Sequence, residues 1–370
     1  MNKSLKSFLI ISLLLLTGVL SACQPTPKVE SEGAYTLQIT QIDTTNFPLV
    51  NVYISVQDVN GEPQVINTGK LQLLENGVPV ANQSIQGTSD VGGLTTLLAI
   101  DNSGSMNYAE KLSTAKEVSK EYLGQMRSGD QAGIITFNTQ VKTVQEVTSD
   151  IEQLELAVDG ITANSDTAMY DALLSAVETL NPLPGRKAII VLTDGMDNQS
   201  ISNPDTALAS IGFGGLSIST VGFGQIPEND EEADEYSGID EATLQYIAEN
   251  AGGKYGYAEN KSQLSAIYDQ MRRSLQSEVV ISYVTPLDLR DGVLRALTVT
   301  LSDQYSGVGG ESQTSFNPGG LVPEVAQPAS WFTFGIILAI LVILLFVPVV
   351  FLMIRNKKPK KRKIKITLKD

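Results

Sequence analysis

Residues 92–276 alternate between short apolar runs and longer amphipathic stretches, and this alternation narrows the possible folds more than any other feature. The apolar runs predict buried strands, and the amphipathic stretches predict helices. Strands that alternate with helices form a mostly parallel sheet covered on both faces. We therefore predict a doubly wound, Rossmann-like α/β domain. Its predicted strands are 94–101, 132–137, 141–145, 187–193, 217–223 and 254–258, and its predicted helices lie near 108–126, 150–158, 168–180, 204–211, 241–250 and 261–275.

The segments on either side of this domain, 34–91 and 277–317, predict β structure. Residues 50–56 alternate apolar and polar side chains, as half-buried strands do, and Asn-Gly pairs mark turns between such runs. Each segment alone would form only a small core. Our hypothesis is that both segments pair into one β-sandwich, with the α/β domain inserted between its strands.

One predicted strand ends on a carboxylate and leads into a loop that carries two hydroxyls. The strand 94–101 ends at Asp101, and Ser103 and Ser105 follow it. Ligands bind at the carboxyl ends of strands in parallel α/β sheets. A carboxylate with two hydroxyls offers the hard oxygen ligands that suit Mg²⁺.

Two later positions complete the pattern. Thr167 lies in a polar loop before a predicted helix, and Asp194 follows another apolar strand. With these residues the sequence resembles the von Willebrand factor type A family over roughly residues 92–275. That family uses Asp-x-Ser-x-Ser, a threonine and an aspartate as a metal-ion-dependent adhesion site. The matching positions here are Asp101, Ser103, Ser105, Thr167 and Asp194.

The resemblance implies a bound Mg²⁺, with Mn²⁺ or Ca²⁺ as alternatives, and a free coordination position that a carboxylate of a partner protein fills. It also implies that Asp194 acts through water and that the last helix, 261–275, moves when the metal gains this ligand. The residues themselves leave plainer alternatives open. Thr167 could be a helix N-cap, and the serines and Asp194 could be turn residues.

Other acidic residues near these positions are interpreted differently. We interpret Asp171 and Asp197 as helix and loop residues that do not bind the metal. The acidic loop 228–235 follows a predicted strand and therefore belongs to the same edge of the sheet. It is either a solvated loop or a second cation site or gate, and it lacks the spacing of a calcium-binding loop.

The chain begins with a predicted signal peptide, residues 1–22, that has a charged start and a short apolar stretch. It closes on Leu20-Ser-Ala-Cys23, which resembles a bacterial lipobox, and that resemblance implies lipidation of Cys23. An ordinary cleaved signal that happens to hold a cysteine is the alternative. Residues 23–33 would then form a tether.

The other end of the chain predicts a second anchor. Residues 306–330 are rich in glycine, serine, proline and glutamine and are interpreted as a stalk, with 318–330 as its final part. Residues 331–354 contain no charge and are long enough to form a transmembrane helix. The basic tail 355–370 is expected in the cytoplasm, which places the preceding domains outside the bacterial cytoplasmic membrane.

Charge and composition exclude several classes of function. The net charge is -15 although the tail is basic, so the exported region is strongly acidic and unsuited to nucleic acid. The chain has no histidine, which removes histidine-based catalysis. We therefore expect no enzymatic activity.

The leading interpretation is a cell-surface protein-binding or adhesion module that depends on Mg²⁺. The alternative is a scaffold subunit of a bacterial membrane assembly in which the metal has a structural or regulatory role. Its partner would then be a membrane-complex subunit.

Overall fold

The computed structural model describes residues 35–58, 60–64, 66, 68–80, 84–86, 91–224, 238–286, 290–301 and 311–320, with 336, 338, 340 and 341. The predictions on the signal peptide, Cys23, the acidic loop 228–235 and the basic tail lie outside these residues. So does nearly all of the predicted span 331–354. Where the structure describes the chain, no helix combines the length and the apolar character needed to cross a bilayer.

The described elements follow the order of the sequence. The strands are β1 (Tyr35–Asp43), β2 (Leu49–Asp58), β3 (Leu71–Glu75), β4 (Val78–Pro79), β5 (Ser84–Gln86), β6 (Leu94–Asp101), β7 (Gln131–Phe137), β8 (Val141–Thr148), β9 (Arg186–Thr193), β10 (Ser217–Phe223), β11 (Gly252–Ala258), β12 (Val279–Val284), β13 (Arg295–Leu301) and β14 (Glu311–Phe316). The helices are α1 (Lys111–Leu123), α2 (Ile151–Asp159), α3 (Met169–Leu180), α4 (Pro204–Ala209), α5 (Glu241–Asn250) and α6 (Lys261–Gln276).

Six of the described strands form one mixed, mostly parallel sheet in the order β11-β10-β9-β6-β7-β8. Only the pairing of β8 with β7 is antiparallel within this sheet as described. Strands β6 and β9 are direct neighbours, and Ile100 lies opposite Leu192. This register brings the carboxyl ends of β6 and β9 to one edge of the sheet. The predicted α/β fold is confirmed.

Helices cover both faces of this sheet because its central strands are apolar on both sides. Leu98 and Ile100 of β6 pack in a core with α1, α2 and α6, whereas Leu97 and Ala99 pack in a second core with α3, α4 and α5. Successive residues of a strand point to opposite faces, which explains the alternation between the two cores.

Every predicted strand and helix of this domain is present, with bounds that differ by at most 3 residues. The largest shift among the helices is at α1, predicted from residue 108 and observed from Lys111. Ala109 and Glu110 have φ angles of 50° and 56°. This left-handed conformation cannot continue a right-handed helix, so α1 begins only after the turn.

The flanking segments contribute strands to two further sheets, ordered β1-β2-β12-β5 and β14-β13-β3-β4 among the described residues. Each of these sheets combines strands that precede the α/β domain with strands that follow it. Strand β12 pairs antiparallel with β2, and β13 pairs antiparallel with β3. Apolar side chains of both sheets share one core, which includes Ile54, Leu73, Ile281 and Val299.

Part of the predicted stalk is not a linker. Strand β14 lies within residues 306–330 and pairs with β13, with Thr314 opposite Leu297. The predicted β segment 277–317 and the stalk interpretation of 306–330 overlap here, and residues 311–316 form a strand. Its polar composition is explained by position, because β14 is at the edge of its sheet and most of its residues are at least partly exposed. An edge strand with one solvated face does not require apolar residues.

Candidate metal centre

Two acidic residues meet at the carboxyl end of the central sheet. Asp101 is the last residue of β6, and Asp194 follows the last residue of β9. Because β6 and β9 are parallel neighbours, their ends lie side by side. The predicted site residues on the two strands are thus brought together by the sheet itself.

Asp101 is fully buried, and each of its oxygens accepts a hydrogen bond. The backbone N–H of Ser103 donates to Oδ1 at 2.7 Å, and the hydroxyl of Thr193 donates to Oδ2 at 2.7 Å. Sequence reasoning did not single out Thr193. The register of β6 against β9 is the signal that could have found it, since Ile100 pairs with Leu192 and the next residues are Asp101 and Thr193.

The surroundings of Asp101 disfavour its ionised form unless a positive charge is nearby. Burial and the nearby charge of Asp194 raise the pKa of Asp101 to about 7, although the hydrogen bonds from Ser103 and Thr193 act in the opposite direction. A raised pKa means that the ionised carboxylate is poorly stabilised by its surroundings. A cation beside it would supply the missing stabilisation.

The two serines connect Asp101 to Asp194. The hydroxyls of Ser103 and Ser105 are 3.0 Å apart, and Ser105 donates to Oδ1 of Asp194 at 2.7 Å. Gly104 lies between the two serines, and its backbone is close to the loop that contains Ser165. Its N–H donates to the carbonyl of Ser165 at 2.7 Å, and a Cβ at this position would be only 3.2 Å from that same oxygen.

Thr167 is on the loop that Gly104 contacts, and it is buried. Its N–H donates to the side chain of Asn198 at 3.0 Å, and its carbonyl accepts from the N–H of Asn198 at 3.0 Å. A Cβ on Gly195 would be 3.8 Å from the Thr167 hydroxyl, so this hydroxyl faces the turn that follows Asp194. The N-cap of α3 is Ala168, which excludes the alternative that Thr167 caps the helix.

Lys111 is a member of this cluster that the sequence analysis missed. Its ammonium is 2.7 Å from Oδ2 of Asp194. A lysine at the first position of a helix opposes the helix dipole, which favours anions at that end. This unfavourable placement was the available signal that Lys111 has another role.

Asp171 and Asp197 hold the loop beside the site, in agreement with their interpretation as helix and loop residues. Asp171 accepts the backbone N–H groups of Ile201 and Ser202 at 3.0 and 2.8 Å. Asp197 accepts the N–H of Tyr170 at 3.0 Å and the hydroxyl of Ser200 at 2.6 Å. With their oxygens used in this way, these carboxylates fix the loop 195–202 against α3.

The donor set fits a hard divalent cation. It consists of two carboxylates and three hydroxyls, all oxygen, and hydrogen bonds link Ser103, Ser105 and Asp194. Oxygen ligands suit Mg²⁺, Mn²⁺ and Ca²⁺. In the described part of the chain, no three His, Cys, Asp or Glu residues cluster to form another kind of metal site.

Comparison with known proteins agrees with this arrangement. The sequence profile described as "von Willebrand factor type A domain" matches residues 96–196, which include all five predicted site residues. A UPF0353 protein of Nocardia farcinica is 25% identical over 213 residues, which cover 50% of this chain and 64% of that protein. The match therefore spans less than two thirds of the length of this relative.

Two solved structures are similar in part. The conserved hypothetical protein BatB from Bacteroides thetaiotaomicron has 23% identity and a TM-score of 0.42, and the match covers 50% of this chain and all of that one (100%). Proximal thread matrix protein 1 of the mussel byssus, with a zinc-occupied MIDAS motif, has 20% identity and a TM-score of 0.44, covering 54% and 49% of the two chains. The profile match shows that residues 96–196 are similar to a von Willebrand factor type A domain, and these residues form part of the mixed, mostly parallel sheet and its covering helices.

Proposed function

We propose that this chain is a membrane-anchored module that binds a partner protein through a divalent cation, with Mg²⁺ as the preferred ion. The observation that carries the proposal is the state of Asp101, a fully buried carboxylate whose pKa is raised to about 7 by burial and by Asp194. Such a group is costly to bury unless a counter-charge compensates it. It lies among hydroxyl groups at the carboxyl end of the sheet, where ligands bind in α/β folds.

The proposed ligand set is Asp101, Ser103, Ser105, Thr167 and Asp194. When bound, the cation supplies a coordination position that a carboxylate of the partner fills. The hydroxyls contribute oxygen without adding negative charge, so the two carboxylates only balance the charge of a divalent ion. The hydrogen bonds from Thr193 and from the Ser103 backbone hold the Asp101 carboxylate in place.

We further propose that the chain has no catalytic role. It contains no histidine and only one cysteine, and that cysteine is the proposed lipidation site. This composition supports the proposal because the chain would then have neither a histidine to act as a general base nor a free thiol to act as a nucleophile.

The arrangement of the chain supports a surface location. We propose that the lipid on Cys23 and a transmembrane helix over 331–354 hold the exported part at one membrane face. The two sheets formed by the flanking segments would act as a β-sandwich that carries the type A domain. The chain enters and leaves the domain through these sheets, because β6 follows β5 and β12 follows α6.

A capture experiment tests the proposal. The full chain is immobilised and exposed to envelope extract and to soluble extracellular proteins, in Mg²⁺ and in EDTA, beside Asp101→Ala. We expect partners that are retained in Mg²⁺ and lost both in EDTA and with the variant. Partners retained equally under all conditions would contradict metal-bridged binding and favour the alternative, a scaffold subunit of a membrane assembly.

Ile201 is expected to contribute to the partner contact. Ile201 lies in the loop beside the site, and the residue is 98% exposed. Its backbone N–H donates to Asp171 of α3, which fixes the loop. Burying an isoleucine in an interface is worth about 1.5–3 kcal/mol. Ile201→Ser should therefore weaken partner capture by roughly tenfold or more and leave Mg²⁺ affinity unchanged.

The matched control for this prediction is Leu156→Ser. Leu156 is 65% exposed on α2, outside the loops that form the site. Partner titrations by surface plasmon resonance and Mg²⁺ titrations by calorimetry separate the two effects. Equal capture by Ile201→Ser and the native chain would show that the partner does not cover this loop.

A further inference from the structure

Lys111 and the metal centre share the carboxylate of Asp194. Oδ1 of Asp194 accepts the hydroxyl of Ser105, which is one of the proposed ligands, whereas Oδ2 contacts the ammonium of Lys111. The side chain of Asp194 is fully enclosed, and that of Lys111 is 19% exposed. The two oxygens thus face different partners, so a cation on the Oδ1 side and the lysine on the Oδ2 side are compatible.

The two residues before Lys111 have a strained backbone conformation. Ala109 and Glu110 both have left-handed φ angles, 50° and 56°. Neither is a glycine, and such conformations cost roughly 1 kcal/mol or more each. Strain of this kind persists where the surrounding structure requires it, and here it ends at the residue that contacts Asp194.

Space for the lysine is provided by Gly224, which follows β10. A Cβ on Gly224 would be 3.2 Å from both Cε and Nζ of Lys111. Gly224 also has a φ of 142°, which disfavours any other residue. The end of a third strand therefore leaves room for the ammonium beside Asp194.

The charges of the cluster then have a consequence for ligand choice. Two carboxylates balance a divalent cation, and among the described residues of this cluster Lys111 adds one further positive charge, which an incoming anion would balance. A buried positive centre favours an anionic ligand over water or a neutral group. The same positive charge repels the metal and competes for Asp194.

We propose that Lys111 is a specificity-determining residue with two effects. It weakens metal binding, and it makes the metal-bound site (the loaded centre) selective for a carboxylate ligand. This inference rests on the proposed function and specifies the regulation of the same site.

The test uses Mg²⁺ and acetate as probes on the full chain. Calorimetry measures Mg²⁺ affinity in sodium acetate and in sodium chloride of equal concentration. A carboxylate that binds the loaded centre must raise Mg²⁺ affinity, because the two binding events are linked. Lys111→Met should bind Mg²⁺ in chloride roughly fivefold more tightly and lose most of the gain produced by acetate.

Two further variants complete the design. Lys111→Arg keeps the positive charge and should retain the acetate gain. Lys116→Met removes a lysine from the same helix, where it donates to the backbone carbonyl of Asp159 at 2.9 Å, and should behave as the native chain does. Circular dichroism melting shows whether each variant is folded.

The results separate the two proposals. Opposite changes in Mg²⁺ affinity and acetate gain in Lys111→Met support the inference. Unchanged values, or a loss of both, overturn it while leaving metal binding by the native chain intact. If the native chain binds no Mg²⁺ in either salt, the proposed function fails together with the inference.

Discussion

Replacing Asp101 with alanine should abolish Mg²⁺ binding, with a loss of affinity above roughly a hundredfold, while the chain remains folded. Asp101 is a fully buried carboxylate of the proposed ligand set. Its removal leaves the hydroxyl of Thr193 and the N–H of Ser103 without an acceptor, which costs about 1–3 kcal/mol. The loss of a buried charge offsets this cost, because its pKa is raised to about 7 and its ionised form destabilises the metal-free fold near neutral pH.

Calorimetric titration with Mg²⁺ and melting by circular dichroism measure the two expected effects. Asp150→Ala is the control, since Asp150 is an exposed N-cap of α2 that accepts the N–H of Gln153. It should bind Mg²⁺ as the native chain does. Normal Mg²⁺ binding by Asp101→Ala would contradict the assignment of Asp101 as a metal ligand. An unfolded Asp101→Ala would contradict the expectation that the fold does not depend on this carboxylate.

Replacing Glu278 with alanine should lower the free energy of unfolding by about 3–5 kcal/mol. Glu278 lies between α6 and β12 and is 3% exposed, and its partner Arg186, at the start of β9, is 2% exposed. Arg186 donates to Oε2 of Glu278 at 3.0 Å through Nε and at 2.7 Å through Nη2. Removal of the glutamate leaves a buried guanidinium without its counter-charge.

The control for this prediction is an exposed ion pair in which a glutamate contacts a lysine. Glu117 contacts Lys261 at 2.6 Å, but both side chains are about half exposed, at 55% and 47%. Glu117→Ala should cost less than about 1 kcal/mol, because solvent screens exposed pairs. Urea unfolding followed by circular dichroism measures both variants. A cost for Glu278→Ala no greater than that for Glu117→Ala would show that Arg186 finds another partner or water.

Local sequence patterns were sufficient to predict the strands and helices of the α/β domain. Apolar runs and amphipathic periods depend only on near neighbours along the chain, and the strand–helix order then leaves few topologies. The hydroxyl and carboxylate positions could also be predicted, since each follows a strand or precedes a helix. The polar residues of the edge strand β14 carry no such local signal, which is why the stretch 306–330 that contains it was also interpreted as a stalk.

The features that escaped sequence reasoning all join residues far apart in the chain. Thr193 meets Asp101 only through the register of β6 and β9, and Lys111 reaches Asp194 only through a left-handed turn. The pairing of Arg186 with Glu278 depends on α6 returning to the start of β9.

The order of strands and helices, and the five positions proposed as oxygen donors, could therefore be predicted from the sequence alone. Which charges balance one another was decided only by the tertiary structure. The physical reason is the distance along the chain over which each signal extends. A hydrophobic period is visible within a few residues, whereas the electrostatic balance of a buried site depends on every group that the fold brings near it.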